Sequence, residues 1–143
     1  MTALPWPLLL VLAGIGQLLL AAASLALPRV LNWHAQTAKL RPLTRQVFWT
    51  YAVYIWTTNV SFGLLSTIGP HWLLDRSPLA TAVTGFITLY WGARLVIQFA
   101  VFDRTDVPAG WYVRPAEAAV VLLFLYFTLV YGGALALNLG AGA

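Results

Sequence analysis

Within the apolar stretch Leu79–Phe102, Tyr90, Arg94 and Gln98 recur at every fourth residue, a spacing that puts them on one face of a helix. A guanidinium flanked by a phenol and an amide has the chemistry to hold an anion, a carboxylate or a lipid headgroup. In a bilayer a full charge costs about 2.5–3.5 kcal/mol even on insertion scales, so Arg94 must face protein or water. By helical rise Arg94 lies ~5 Å from the midpoint of its stretch. The same depth count brings Tyr54 to its level and Asn59 and Gln17 to the midplane. Glu117, the only acid near a span, lies ~10 Å closer to the basic side. Two readings stay open. Either Arg94, Gln98, Tyr90, Tyr54, Asn59 and Glu117 form a ligand site, or they form an internal polar cluster in which Arg94 caps carbonyls or pairs with Glu117. Glu117 has a local explanation as well: two residues after Pro115, in a first helical turn, a carboxylate favours the positive end of the macrodipole.

Trp56 and Trp91 fall near mid-membrane by the same count. With Tyr54, Phe62, Tyr90 and Phe99 they would line a pocket for a lipid tail, quinone, sterol or carotenoid, or would pack between helices. No cofactor is predicted. His34 and His71 fall on opposite sides of the membrane, and no HxxxH or HxxE pattern occurs, so no metal site is expected. No histidine or acid lies beside a plausible nucleophile. Gly14-x-Gly16 and Gly132-Gly133 sit inside apolar runs, where glycine serves close packing rather than phosphate binding. No catalytic residue is assigned.

The elements that must hold these residues follow from composition. The chain has 143 residues, 61% hydrophobic and 8% charged, against about 25% charged in a soluble domain. It is too short for two membrane domains. There is no cysteine, which excludes thiolate metal sites and disulfide chemistry. The net charge of +4 is clustered, which reads as membrane topology and not as nucleic-acid binding. Arginine outnumbers lysine seven to one, a weak sign of a GC-rich bacterial gene.

Four apolar stretches, about 5–27, 46–69, 79–102 and 115–139, are long enough to span at ~1.5 Å per residue. Ser24-Leu25-Ala26 resembles a signal-peptidase site. No basic region precedes the first run, however, and the run exceeds the usual length of about 7–15 residues, so it is read as a retained span. Pro28 is expected to end it. Gly69-Pro70 stops the second, Ser77-Pro78 caps the third, and Pro115 opens the fourth. Thr81, Gly85, Thr88 and Gly92 make a small-residue stripe on the third, suited to close helix approach.

Arg29, Lys39, Arg41 and Arg45 fill the first loop with no acid among them, and are read as contacts to lipid headgroups on the cytoplasmic side. Part of that loop is expected to lie along the surface as a short helix. Arg104 and Arg114 share this side and Arg76 stands alone on the other, so both termini are placed outside the cytoplasm. Trp6, Trp33, Trp49, Trp72 and Trp111 fall near the expected interfaces. The expected fold is all-α: one integral-membrane, antiparallel four-helix bundle of the bacterial cytoplasmic membrane, with the third span central.

Small multidrug exporters carry a glutamate in the first span. Here that span holds Gln17, and the resemblance fails. In outline the chain is similar to the glutathione-using MAPEG membrane enzymes, which share its length, four spans, a long basic first loop and an arginine in the third span, here Ala93-Arg94. Their acidic-basic first-loop signature has no counterpart between Pro28 and Arg45. The resemblance implies a trimer with glutathione or lipid chemistry around Arg94. The residues themselves favour a non-enzymatic subunit or scaffold of a larger membrane complex or homo-oligomer. A small transporter or channel, with Arg94 on the path of an anionic or lipid-like substrate, is the alternative. Partners are then membrane lipids, other membrane subunits or the chain itself, through Gly14, Gln17 and Ala21 on the first span and Gly132-Gly133 with Asn138 on the fourth.

Overall fold

The computed structural model describes residues 5–101 and 110–140. Among them the chain is helical, without a strand. The helices are α1 (Trp6–Ser24), α2 (Leu27–Val30), α3 (Trp33–Ala38), α4 (Pro42–Ile68), α5 (Pro78–Ala100) and α6 (Val113–Asn138), with a 3-10 turn at Pro70–Leu73.

Helix ends follow local chemistry. Pro28 has no N–H to give the Ser24 carbonyl, and its ring would clash there. So α1 stops at Ser24, earlier than Pro28 itself, and Pro28 sits in the first turn of α2. The basic loop is folded as α2 and α3, joined through Asn32 in the left-handed region at φ 55°, which asparagine tolerates. Ser77 caps α5 as its sequence suggests: its Oγ accepts from the Ala80 N–H at 3.0 Å, and Pro78 follows at the first helical position. α6 begins at Val113, two residues before Pro115. Proline is tolerated there because first-turn N–H groups have no partner within the helix.

Three stretches are long and apolar enough to cross a membrane: Trp6–Val30, Pro78–Ala100 and Val113–Asn138. α4, with 27 residues, has the length but a more polar composition. Three of its hydroxyls turn back onto their own helix. Thr58 donates to the Tyr54 carbonyl at 2.8 Å, Ser61 to Thr57 at 2.8 Å, and Thr67 to Gly63 at 2.7 Å.

α1 packs on α4 and α6, and α5 packs on α6. The closest approach is between α1 and α4, at Gly14 and Gly63. A Cβ on Gly14 would lie 2.7 Å from the Gly63 carbonyl oxygen and 2.8 Å from the Thr67 nitrogen. The glycine stripe of α5 meets α6 less tightly: a Cβ on Gly85 would sit 3.6 Å from Leu135, and one on Gly92 3.7 Å from Thr128. Between α4 and α5 the contact is made by large rings, with Phe62 edge-on to both Phe86 and Tyr90.

The core (Leu10, Ala13, Leu73, Ile87, Trp91, Phe124, Phe127, Val130, Tyr131 and Ala134) lies toward the end closed by the Pro70–Leu73 turn. On α4 the buried residues are Gly63 and Ser66, on α5 none follows Trp91, and on α6 none precedes Phe124. Burial is therefore concentrated at one end and thins toward the basic end. Gly14, Gln17 and Ala21 are buried inside the chain, as is Asn138. Gly132 meets Thr88 and Gly133 meets Trp6. The surfaces expected to face other chains are thus taken up internally, because α1 and α6 are apolar on nearly every side and their sequences do not mark which side turns inward.

Candidate functional site

At the centre of the bundle, each of the four long helices contributes one polar side chain to a single hydrogen-bonded node. Gln17 of α1 donates from Nε2 to the Ala13 carbonyl at 3.2 Å and to the Tyr131 hydroxyl of α6. Its Oε1 accepts from Trp91 Nε1 of α5 at 3.1 Å. Ser66 of α4 shares a hydrogen bond with the same Tyr131 hydroxyl. Gln17, Ser66 and Tyr131 are 0% exposed and Trp91 is 2% exposed, so no water reaches the node. Trp91 is stacked on Phe124 at 5.4 Å and tilted against Phe127 at 4.9 Å.

The node holds no charge, no acid and no imidazole, so neither Ser66 nor Tyr131 has a base to activate it. Every buried side-chain nitrogen and oxygen among the described residues has a partner. Chemically the node registers four helices against one another. Each polar group would otherwise be left unsatisfied in an apolar interior, at about 1–3 kcal/mol apiece.

Below the node, toward the basic end, lies the polar stripe of α5. The Tyr90 hydroxyl donates to Asn59 Oδ1 across to α4 at 2.7 Å. Arg94 Nη1 donates to Gln98 Oε1 at 3.1 Å, and its guanidinium lies over the Phe124 ring at 4.9 Å. The Tyr90–Asn59 bond thus bridges α5 to α4, while Arg94 and Gln98 pair along α5 itself. Tyr54 is elsewhere: it is 65% exposed and lines an open hollow on the outer face of α4 with Trp49, Thr50 and Val53. Trp56 donates from Nε1 to the Ala21 carbonyl at 2.9 Å and ties α4 to α1, while Trp91 belongs to the node. Because α6 starts at Val113, Glu117 is its fifth residue and not part of its first turn. The macrodipole effect, which fades beyond that turn, is correspondingly reduced there.

The basic end is organised by aromatic packing. Trp33 meets Phe48 edge-on at 5.1 Å, His34 stacks on Trp49 at 4.8 Å, and Trp49 Nε1 donates to Thr37 Oγ1 at 3.3 Å. These contacts clamp α3 to the start of α4. Arg29, Lys39 and Arg41 are exposed around this clamp and Arg45 is half-buried. At the opposite end Asn138 Nδ2 donates to the Leu73 carbonyl at 2.8 Å, and its Oδ1 accepts from the Arg76 N–H at 3.0 Å, which pins the loop between α4 and α5 to α6. Among the described residues no group of three histidines, cysteines or acids could hold a metal ion. Asp103, Arg104 and Asp106 lie outside the described residues.

Sequence reasoning missed Ser66 and Tyr131. A signal for Tyr131 was present: Phe124, Phe127, Tyr131, Ala134 and Asn138 recur at three- and four-residue steps, the spacing of one buried helix face. Ser66, three residues after Gly63, continues the α4 face that touches α1.

Compared with known proteins, the chain matches no protein-family model, no curated protein and no solved structure.

Proposed function

We propose that this chain is a four-span membrane protein that acts as a non-enzymatic building block, a subunit or scaffold in a larger membrane assembly. One observation carries this reading. The polar groups at mid-membrane are spent on one another in the Gln17–Tyr131–Ser66–Trp91 node, at a point where a transport path or reaction centre would keep groups for its substrate. α4 serves as the fourth span in this reading. Its 27 residues reach ~40 Å, beyond the ~30 Å of a bilayer core. The Thr58, Ser61 and Thr67 hydroxyls are bonded to carbonyls of α4 itself, which offsets part of the polarity that its composition suggests. The four cations between Pro28 and Gln46 point that end toward the cytoplasm, and the composition suits a bacterial cytoplasmic membrane. Side chains such as Leu19, Leu89 and Phe99, 66–74% exposed, supply the apolar surface that lipid or other subunits would cover.

The test is native mass spectrometry after gentle extraction from the source membrane. Copurification with other chains, or with further copies of itself, is the expected result. A monodisperse monomer that carries nothing with it overturns the proposal.

The Arg94–Gln98 pair over Phe124 favours a second reading, an anion path in the half toward the basic end. Anion flux in liposomes, lost in a folded Arg94→Ala variant, would establish that reading in place of the first. Absence of flux from the parent protein removes it.

A further inference from the structure

The clamp at the basic end has a feature that helix registration does not use. Arg45, Trp49 and Val53 follow one another at four-residue steps down α4, and Arg41, the extended residue just before α4, stands above them. Residues at this spacing form a ladder along one face. Trp49 and Val53, with Thr50 and Tyr54, line an open hollow of ≈ 310 Å³ on the outside of the bundle. Val53 and Tyr54 are 57% and 65% exposed and no other helix covers them. The upper rim of the hollow is rigid, because the Trp49 indole is held by the Thr37 hydroxyl and stacked under His34. Side chains on a helix lean toward its N-terminus. On α4 that direction is toward the basic end, so Arg41 and Arg45 reach to headgroup depth while the hollow lies beneath them. No acid occurs anywhere between Pro28 and Leu74 to neutralise these cations.

We infer that this ledge seats one anionic phospholipid of the surrounding leaflet, its phosphate on Arg41 and Arg45 and one acyl chain in the hollow of Trp49, Thr50, Val53 and Tyr54. The order of the groups argues for this occupant over a peptide or a second copy of the chain. Two cations come first, then an indole, then the apolar hollow between Trp49 and Tyr54, which covers ~7.5 Å of the helix axis. That matches the headgroup, interface and acyl chain of a single lipid lying parallel to the span. The charge calls for an anionic headgroup, since an arginine holds a phosphate with paired donors, and a zwitterionic lipid offers those cations no net charge. The inference rests on the membrane-spanning reading and not on the subunit role.

The test is native mass spectrometry of the full chain in detergent, titrated with phosphatidylglycerol or with phosphatidylcholine of the same acyl composition. One phosphatidylglycerol should be retained in preference to phosphatidylcholine. Each basic side chain near an anionic surface contributes ~1 kcal/mol, so Arg45→Gln should weaken retention about fivefold and Arg41→Gln with Arg45→Gln about thirty-fold. Val53→Trp, which fills the hollow and leaves both charges, should also displace the lipid. Equal retention of the two lipids overturns the proposal, as does phosphatidylglycerol binding that ignores the variants. Loss in the charge variants alone also overturns it, because that result describes diffuse contact of a basic loop and not a seated lipid. Membrane embedding is read separately, from resistance of the native protein to carbonate extraction. Release by carbonate refutes the membrane reading itself, whereas an embedded chain without lipid preference refutes the site alone.

Discussion

Replacing Gln17 by leucine tests whether the central node holds the helices together. Leucine matches glutamine closely in size and favours helix, so the change removes hydrogen bonds without opening a large cavity. Gln17 makes bonds to Tyr131 and Trp91 on other helices and one to its own helix at Ala13. Interhelical bonds in membrane proteins average ~0.6 kcal/mol, so the two cross-helix bonds contribute ~1.2 kcal/mol. Tyr131 retains Ser66, but Trp91 Nε1, in a side chain 2% exposed, loses its only acceptor. A buried donor left unsatisfied costs about 1–3 kcal/mol. Gln17→Leu should therefore destabilise by about 2–4 kcal/mol, roughly a thirty- to thousand-fold shift in the unfolding equilibrium. Trp91→Phe removes the donor that Gln17→Leu orphans, so the double variant should lose about 1–2 kcal/mol less than the sum of the singles. The assay is unfolding in mixed micelles followed by far-ultraviolet circular dichroism, which does not depend on the replaced tryptophan. If Gln17→Leu lies within ~0.5 kcal/mol of the parent, or the cycle is additive to that margin, the node is not a linchpin and the reasoning fails.

Three further outcomes follow from the same structure. Gly14→Ala should lower stability by about 1–3 kcal/mol in a thermal melt, because its methyl would meet the Gly63 carbonyl oxygen at 2.7 Å, whereas Gly85→Ala, with 3.6 Å to Leu135, should fall within ~0.5 kcal/mol of the parent. Arg76 holds φ 63° while its N–H serves Asn138; Arg76→Gly should keep that bond, relieve the left-handed backbone and raise stability by up to ~1 kcal/mol, and a loss in the same melt would contradict this. The Asp75 carboxylate is held below its ordinary range by hydrogen bonds from the Ser77 side chain and backbone N–H. A depressed carboxylate contributes its stability above the unfolded value near ~3.9 and loses it as pH falls through the lower folded value. Asp75→Asn should therefore remove a small acid-side dependence of the melting temperature, and an unchanged pH profile would contradict that role.

Much of the local structure was legible in the sequence. Helix boundaries at Ser77-Pro78 and Gly69-Pro70 were readable because a cap, a missing N–H and a helix stop act within four residues of themselves. Pro28 was readable too, although its effect falls four residues earlier, on the carbonyl of Ser24. The polar stripe of Tyr90, Arg94 and Gln98 was readable from spacing alone, and so was the concentration of cations in one loop. Glu117 lies two residues further into its helix than expected because α6 begins before Pro115 rather than at it.

What the amino-acid sequence determined by itself is therefore the four long helices, the ends set by Gly69-Pro70 and Ser77-Pro78, and the length and apolar character that suit three stretches to a membrane. Only the tertiary structure decided which faces turn inward. A helix that is apolar on every side carries no moment to announce its buried face, so Gly14, Gln17 and Ala21 read equally well as an outer surface and as the core they occupy. The node joins residues up to 114 positions apart, and no local rule couples such distances. The rotation of each helix, set by the Gly14–Gly63 contact and by the rings filling the centre, brings Gln17, Ser66, Trp91 and Tyr131 to one point. The same rotation turns Tyr54 away from Arg94 to the outside of α4, because packing, and not depth in the membrane, determines which polar residues meet.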